Sequence, residues 1–169
     1  PRLIQLHEPP KPGQLEQVFK QLLRRHESLR TSFHMIDEAP VQRVHENVEF
    51  TIQTLEPGSN KESFGQTDDG QIDDTFARFV QPFDLSRAPL LRAALVETHE
   101  TCWLLVDMHH IISDGVSRLL LEQDFTAFYQ GRTLEPLNIQ YKDYTQWLSA
   151  PGQREELERQ GQYWLNRFS

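Results

Sequence analysis

The sequence predicts an α+β fold in which a mixed sheet packs against helices, and three stretches carry that reading. Residues 90–97 (LLRAALVE) and 101–108 (TCWLLVDM) are apolar, strand-forming runs separated by a short polar link, the pattern of a hairpin. Leu15, Val18, Phe19, Leu22 and Leu23 fall at i, i+3, i+4, i+7 and i+8, one face of a helix. Residues 116–129 again carry apolar side chains at helical spacing, directly after the second strand of the hairpin. The stretch 108–117 (MHHIISDGVS) is therefore a strand-to-helix connection at a sheet edge, and the core sheet carries it.

The remaining elements follow in order. Residues 2–7 (RLIQLH) alternate enough for a short strand, after which Pro9, Pro10 and Pro12 break regular structure before the first helix, which ends near His26. Residues 29–36 (LRTSFHMI) read as a strand, 37–40 (DEAP) as a turn and 41–49 (VQRVHENVE) as the antiparallel return, with 50–55 extending or following it. Residues 56–70 are rich in turn-forming residues and lack periodicity, so they read as a surface loop. Residues 72–80 form a short helix with Ile72, Phe76, Phe79 and Val80 on one side, and the PFDL turn that follows is anchored by Phe83 and Leu85. Beyond a loop at 131–138, residues 141–148 form a short helix bearing Tyr144 and Trp147, interrupted by Ala150, Pro151 and Gly152. Residues 154–168 form a charged helix with the sparse apolar edge Leu157, Tyr163, Trp164 and Phe168. No repeat, linker or second domain is expected within residues 1–169.

Composition narrows the function. A hydrophobic content of 37%, with three Trp and ten Phe, argues for a core-bearing domain and against disorder. The formal charge of −8 opposes nonspecific binding to nucleic-acid phosphate. The lone Cys102 has no internal disulfide partner and, in an apolar strand, reads as a small buried residue. No apolar run is long enough to span a bilayer and the charged, proline-containing start is unlike a secretory signal, so a cytoplasmic protein is expected.

Within the 108–117 stretch, two-residue alternation places His110 on the face of Met108, Val106 and Leu104, and His109 on the opposite face with Asp107 and Leu105. Asp114 can cap the following helix or anchor the loop, and Gly115 allows a tight turn or a close approach of the backbone to another group. Two histidines and one aspartate suit zinc, but neighbouring strand residues diverge and no second His or Cys cluster lies nearby, so no metal is expected. Arg25 and Glu27 read as a solvated helix end, whereas Arg30 enters a strand beside Leu29 and needs a partner if buried.

The pattern HHxxxDG after an apolar strand resembles the active-site motif of the condensation domains of nonribosomal peptide synthetases and, more distantly, the HxxxD motif of chloramphenicol-acetyltransferase-like acyltransferases. RHESLRTSF at 25–33 looks like the family's second core motif, YKDYTQW at 141–147 like its fourth, and QPFDLSRAPLLRAAL at 81–95 is similar to the sequence between them. These stretches stand in the family's order and cover most of the chain.

The resemblance implies an N-terminal chloramphenicol-acetyltransferase-like lobe that lacks the family's first core motif and its C-terminal lobe. It implies amide-bond formation between a donor thioester and an acceptor amine, each tethered to a carrier protein through a phosphopantetheine arm, with no cofactor bound by the domain itself. The expected partners are donor and acceptor carrier domains, the C-terminal lobe and neighbouring synthetase modules. His110 is the residue expected to act on the amine, as general base or by orienting it, and the Gly115 N–H is expected to face the oxyanion. His109, Asp114 and Arg30 are expected to be structural, with Asp114 and Arg30 forming a buried ion pair. Tyr141, Asp143 and Trp147 either pack the last helices or contact substrate. The resemblance leaves open an epimerisation lobe, which carries a closely similar motif, an ester-forming relative using the same histidine on a hydroxyl acceptor, and a carrier-docking module without catalysis; the lobe alone is expected to be inactive.

Overall fold

A computed structural model describes residues 1–6, 8–11, 13–57, 68–98 and 101–168. It contains a four-stranded sheet and a separate two-stranded one. In the larger sheet the strands β1 (Arg2–Leu6), β4 (Gln53–Leu55), β5 (Leu91–Glu97) and β6 (Cys102–Met108) lie in the order β1-β6-β5-β4. β5 and β6 form the expected antiparallel hairpin, closed by Thr98 N–H donating to the Thr101 carbonyl at 2.8 Å, with Leu91 opposite Met108 and Arg92 opposite Asp107. β1 runs antiparallel along the other side of β6, and β4 runs parallel to β5, so the sheet is mixed.

β2 (Thr31–Ile36) and β3 (Ala39–Val44) make the expected local hairpin. Its turn is shorter than DEAP: only Asp37 and Glu38 turn, both at positive φ (49° and 64°), and pairing resumes at Ala39. Such left-handed pairs match the twist of a two-residue hairpin, at some cost for residues other than glycine. Two boundaries also move. Residues 27–30 form a 3-10 turn instead of the start of the strand, and β3 stops at Val44 instead of Glu49. Residues 50–55 yield β4, which joins the other sheet.

Helix α1 (Gln14–Arg25) buries the predicted stripe Leu15, Val18, Phe19, Leu22 and Leu23. Leu15, Phe19, Leu22 and Leu23 pack with Leu91, Ala93 and Leu104 on one face of the sheet, and Leu121, Phe125 and Phe128 of α3 (Gly115–Tyr129) close that cluster. On the opposite face Ala94, Val96 and Leu105 pack with Ile72 and Phe79 of α2 (Asp68–Phe79). The alternation read for β6 is thus realised: Leu104 faces one cluster and Leu105 the other. Leu105 has no exposed surface, so Leu105→Ala should cost about 2 to 5 kcal/mol. α2 begins at Asp68, inside the stretch read as loop; residues 58–67 of that loop lie outside the described ones.

The chain divides into two compact units, Pro1–Glu135 and Pro136–Ser169. The second contains α4 (Tyr141–Leu148) and α5 (Pro151–Phe168); the expected break between them falls at Ser149 and Ala150, and Pro151 opens α5, a position where its missing N–H costs nothing. Cys102 is buried, and burial pushes its thiol pKa up. No helix among the described residues is long and apolar enough to cross a membrane.

Candidate functional site

β6 ends at Met108, and the next residue still behaves as a strand residue. His109 is extended (φ −68°, ψ 138°), and its N–H donates to the Leu90 carbonyl at 3.0 Å. Its ring meets Phe83 edge-to-face, with centroids 6.1 Å apart and planes at 90°. Alternation stops there, because His110–Ile112 form a 3-10 turn that begins at the second histidine. The face expected for His110 on strand geometry therefore does not apply. His110 is exposed at the start of the turn, whereas His109 is half-buried behind it.

The turn is held by side chains on both sides. His109 Nδ1 accepts the Ile111 N–H at 3.0 Å, and the Ser113 hydroxyl donates to the His109 carbonyl at 3.4 Å. Accepting at Nδ1 requires the neutral imidazole with its proton on Nε2.

Asp114 is the N-cap of α3. Its Oδ1 accepts the Ser117 N–H at 2.7 Å and the Ser117 hydroxyl at 2.6 Å, and the Asp114 N–H lies 2.6 Å from Ser117 Oγ. This reciprocal box uses up donors that the first helical turn leaves orphaned. The Ser117 hydroxyl, then the Ser117 N–H, holds the carboxyl below its ordinary pKa, so a full negative charge sits at the positive end of the helix.

The expected ion pair between Asp114 and Arg30 is not formed. Arg30 closes the 3-10 turn Glu27–Arg30, and that turn brings Glu27 Oε1 to 3.3 Å from its Nη2. Its Nη1 donates to the His45 carbonyl at 2.5 Å, just past the end of β3. The guanidinium thus ties the helix-to-strand corner to its own hairpin, while Asp114 is satisfied one turn ahead at Ser117. Of the two roles open to Asp114, the cap is the one realised.

Gly115 is the first residue of α3, and its φ is not in the left-handed region. A Cβ built there meets nothing within 4 Å, so neither a tight turn nor a close approach within this chain requires glycine. Among the described residues no three of His, Cys, Asp or Glu converge as a metal site.

Two further features support the motif loop. Asp124 of α3 accepts from Arg25 Nε and meets His26 Nε2, each at 2.7 Å, which locks α3 to the end of α1. Arg25 was expected to be solvated; it is mostly buried and also donates to the Glu135 carbonyl. On the opposite side of β6, Asp107 is buried and lies 3.3 Å from Arg92 Nε, in an ion-pair approach without directed hydrogen-bond geometry. Sequence reasoning passed over both. For Asp107 and Arg92 the available signal was a charge inside each of two largely apolar strands, opposite in sign and facing each other once the hairpin register is known.

In the second unit, Asp143 accepts the Gln140 N–H at 2.8 Å and starts α4, and the exposed rings of Tyr141, Tyr144 and Trp147 follow one another in tilted contacts, with centroids 6.1 and 5.8 Å apart.

Comparison with known proteins bears on this geometry. A family model described as "Condensation domain" matches residues 2–169. Bacitracin synthase 2 of Bacillus licheniformis is 45% identical over 157 residues, covering 92% of this chain and 6% of that protein. Tyrocidine synthase 3 of Brevibacillus parabrevis is 46% identical over 151 residues, covering 89% of this chain and 2% of its own length. The chain thus spans a small fraction of the curated relatives it matches. Among solved structures, the epimerization domain from the third module of tyrocidine synthetase B superposes with a TM-score of 0.82 at 24% identity, covering 99% of this chain and 39% of that one. A condensation domain that mediates chain release from the enacyloxin polyketide synthase superposes at 0.71 with 24% identity, covering 99% and 33%. Both establish a shared fold.

Proposed function

Because the chain belongs to the condensation-domain family, we propose that it is the N-terminal lobe of such a domain in a nonribosomal peptide synthetase. In this reading it supplies the histidine side of a site that joins a donor acyl thioester to an acceptor amine. The coverage of about a third of each solved neighbour supports one lobe of two. The observation that carries the reading is the motif turn, which leaves His110 exposed while His109 is spent inside the turn.

The acceptor nitrogen attacks the thioester carbonyl, a tetrahedral oxyanion forms, the C–S bond breaks and the released thiolate takes up a proton as the amide is completed. An α-amino group of pKa about 7.7 to 8.0 is only roughly 10 to 20% neutral at pH 7, so a group that accepts or directs its proton has work to do. His110 fills that role as base or as orienting partner, for about a hundred- to ten-thousandfold in rate. The Gly115 N–H at the start of α3 is the proposed oxyanion donor, and the open space at its α carbon gives the acyl group room to approach. Both substrates arrive on phosphopantetheine arms of carrier domains, the C-terminal lobe closes the tunnel, and the lobe alone forms no product.

The test joins this chain to a C-terminal lobe and follows single-turnover product formation on loaded donor and acceptor carriers. Amide product that His110→Ala abolishes supports the reading. Donor inverted at Cα without amide would replace it with epimerisation, and ester formation on a hydroxyl acceptor with an ester synthase. Carrier binding without any product would leave a docking module.

A further inference from the structure

We propose that Phe83 and Arg92 are positioning residues for the motif turn, acting through His109 to set where His110 stands. The inference rests on the proposed role of His110. Asp107 on β6 is buried, with a side chain only 6% exposed, and directly opposite it on β5 stands Arg92, its Nε 3.3 Å from Asp107 Oδ2. That pairing aims the guanidinium over the face of Phe83, with its central carbon 3.7 Å from the ring centroid. Arg92 also donates to the carbonyls of Gln81 and Pro82, the two residues before Phe83. One guanidinium therefore grips both the ring and the backbone that carries it.

Phe83, which also packs against the main core cluster, meets the motif edge-to-face at His109. His109 is fixed at three points: its N–H on Leu90, its ring on Phe83 and its Nδ1 on the Ile111 N–H. The last of these shapes the 3-10 turn that begins at His110. If the ring of His109 rotates, the Ile111 N–H loses its acceptor and the turn loses its internal tie. The line Asp107, Arg92, Phe83, His109, Ile111 is thus a continuous set of contacts that ends beside the exposed His110. Arg suits the second position for a physical reason: a planar guanidinium stacks flat on an aromatic ring and still offers N–H groups to the Gln81 and Pro82 carbonyls, a combination that a compact ammonium matches poorly.

The experiment has two readouts on Phe83→Leu, Phe83→Tyr, Arg92→Lys and His110→Ala. In the present chain, the imidazole nitrogen resonances of His109 report whether Nδ1 remains a hydrogen-bond acceptor on one dominant tautomer. In the two-lobe protein, single-turnover product formation gives the rate at saturation and the carrier concentration at half-saturation separately. Phe83→Leu and Arg92→Lys should mix the His109 tautomers and lower the saturating rate about ten- to a hundredfold, with half-saturation unchanged. Phe83→Tyr, which keeps the ring edge and the stacking face, should restore both. Parent-like tautomer and rate in both Phe83→Leu and Arg92→Lys, alongside a dead His110→Ala, overturns the inference and leaves the functional reading standing. Turnover that survives His110→Ala overturns both. Should Phe83→Leu fail to fold, Arg92→Lys carries the same test.

Discussion

His109 Nδ1 accepts the backbone N–H of Ile111 at 3.0 Å, so the two adjacent histidines are divided between holding a turn and being displayed by it. Replacing them should have different consequences. In the two-lobe protein His110→Ala should keep the thermal midpoint and lower single-turnover product by about a hundredfold or more. His109→Ala should lower the midpoint as well, because the Ile111 N–H and the Phe83 ring edge both lose their partner. Circular dichroism melts beside the rate measurement separate the two, and a stable His109→Ala with parent-like melting contradicts the division.

Asp114 and Arg30 should behave as independent residues. Asp114→Ala removes an N-cap and should lower the melting temperature by about 2 to 4 °C, with Ser117→Ala producing a similar loss since the two cap each other. Arg30→Ala removes the link from Glu27 to the His45 carbonyl. A double-mutant cycle on Asp114 and Arg30 should show effects that add within about 0.5 kcal/mol. A clear coupling between them would restore the ion pair in place of the cap.

Gly115→Ala should not weaken the fold. The new methyl group meets nothing within 4 Å, and alanine is the better helix former. A melting temperature equal to or above the parent is expected. If product formation in the two-lobe protein then falls about tenfold or more, the methyl is obstructing a ligand that approaches the α carbon; full activity would show that the ligand stays clear of it, since alanine keeps the backbone N–H.

Acid should weaken the joint between α1 and α3 through His26. Burial pushes the His26 pKa below its ordinary 6.5, outweighing the opposing pull of Asp124, with the charge of Arg25 acting in the same direction as burial. The unfolded chain then binds this proton more readily than the folded one, so the contribution is complete above pH 6.5 and declines as pH falls towards the lower folded value. Urea midpoints measured from pH 7.5 down to 5 should fall for the parent, and His26→Gln should flatten that slope. An unchanged slope in His26→Gln would place the titrating group elsewhere.

The hairpin of β5 and β6, the buried stripe of α1 and the two faces of β6 were legible because each is written as a local period in the chain. What escaped was decided by partners far along the sequence. Three residues of β4 show no period of their own and become a strand only by lying parallel to β5. Arg25 looked like a solvated helix end because Asp124, which buries it, is almost a hundred residues away. The motif itself was found from residue identity, but the side on which His110 stands depended on a strand ending at Met108, one pleat too early for alternation to decide it. The choice of Ser117 over Arg30 as partner of Asp114 was open to a local reading, since an Asp followed three positions later by Ser at a helix start has the form of a reciprocal cap.

β1 pairs with β6, placing Arg2 opposite Val106 and Leu6 opposite Cys102. During synthesis β1 therefore leaves the ribosome well before its place in the sheet exists, because its neighbour β6 emerges only about a hundred residues later. At about 5 to 20 residues per second that is a wait of about 5 to 20 seconds, during which Leu3 and Leu6 lack the clusters they pack against in the finished fold. Closing so long a loop also slows refolding, since the entropy of bringing the ends together is spent before the contacts are made. A chaperone that shields this short segment should raise folded yield more than one acting on the hairpin of β5 and β6, whose strands meet within moments of being made.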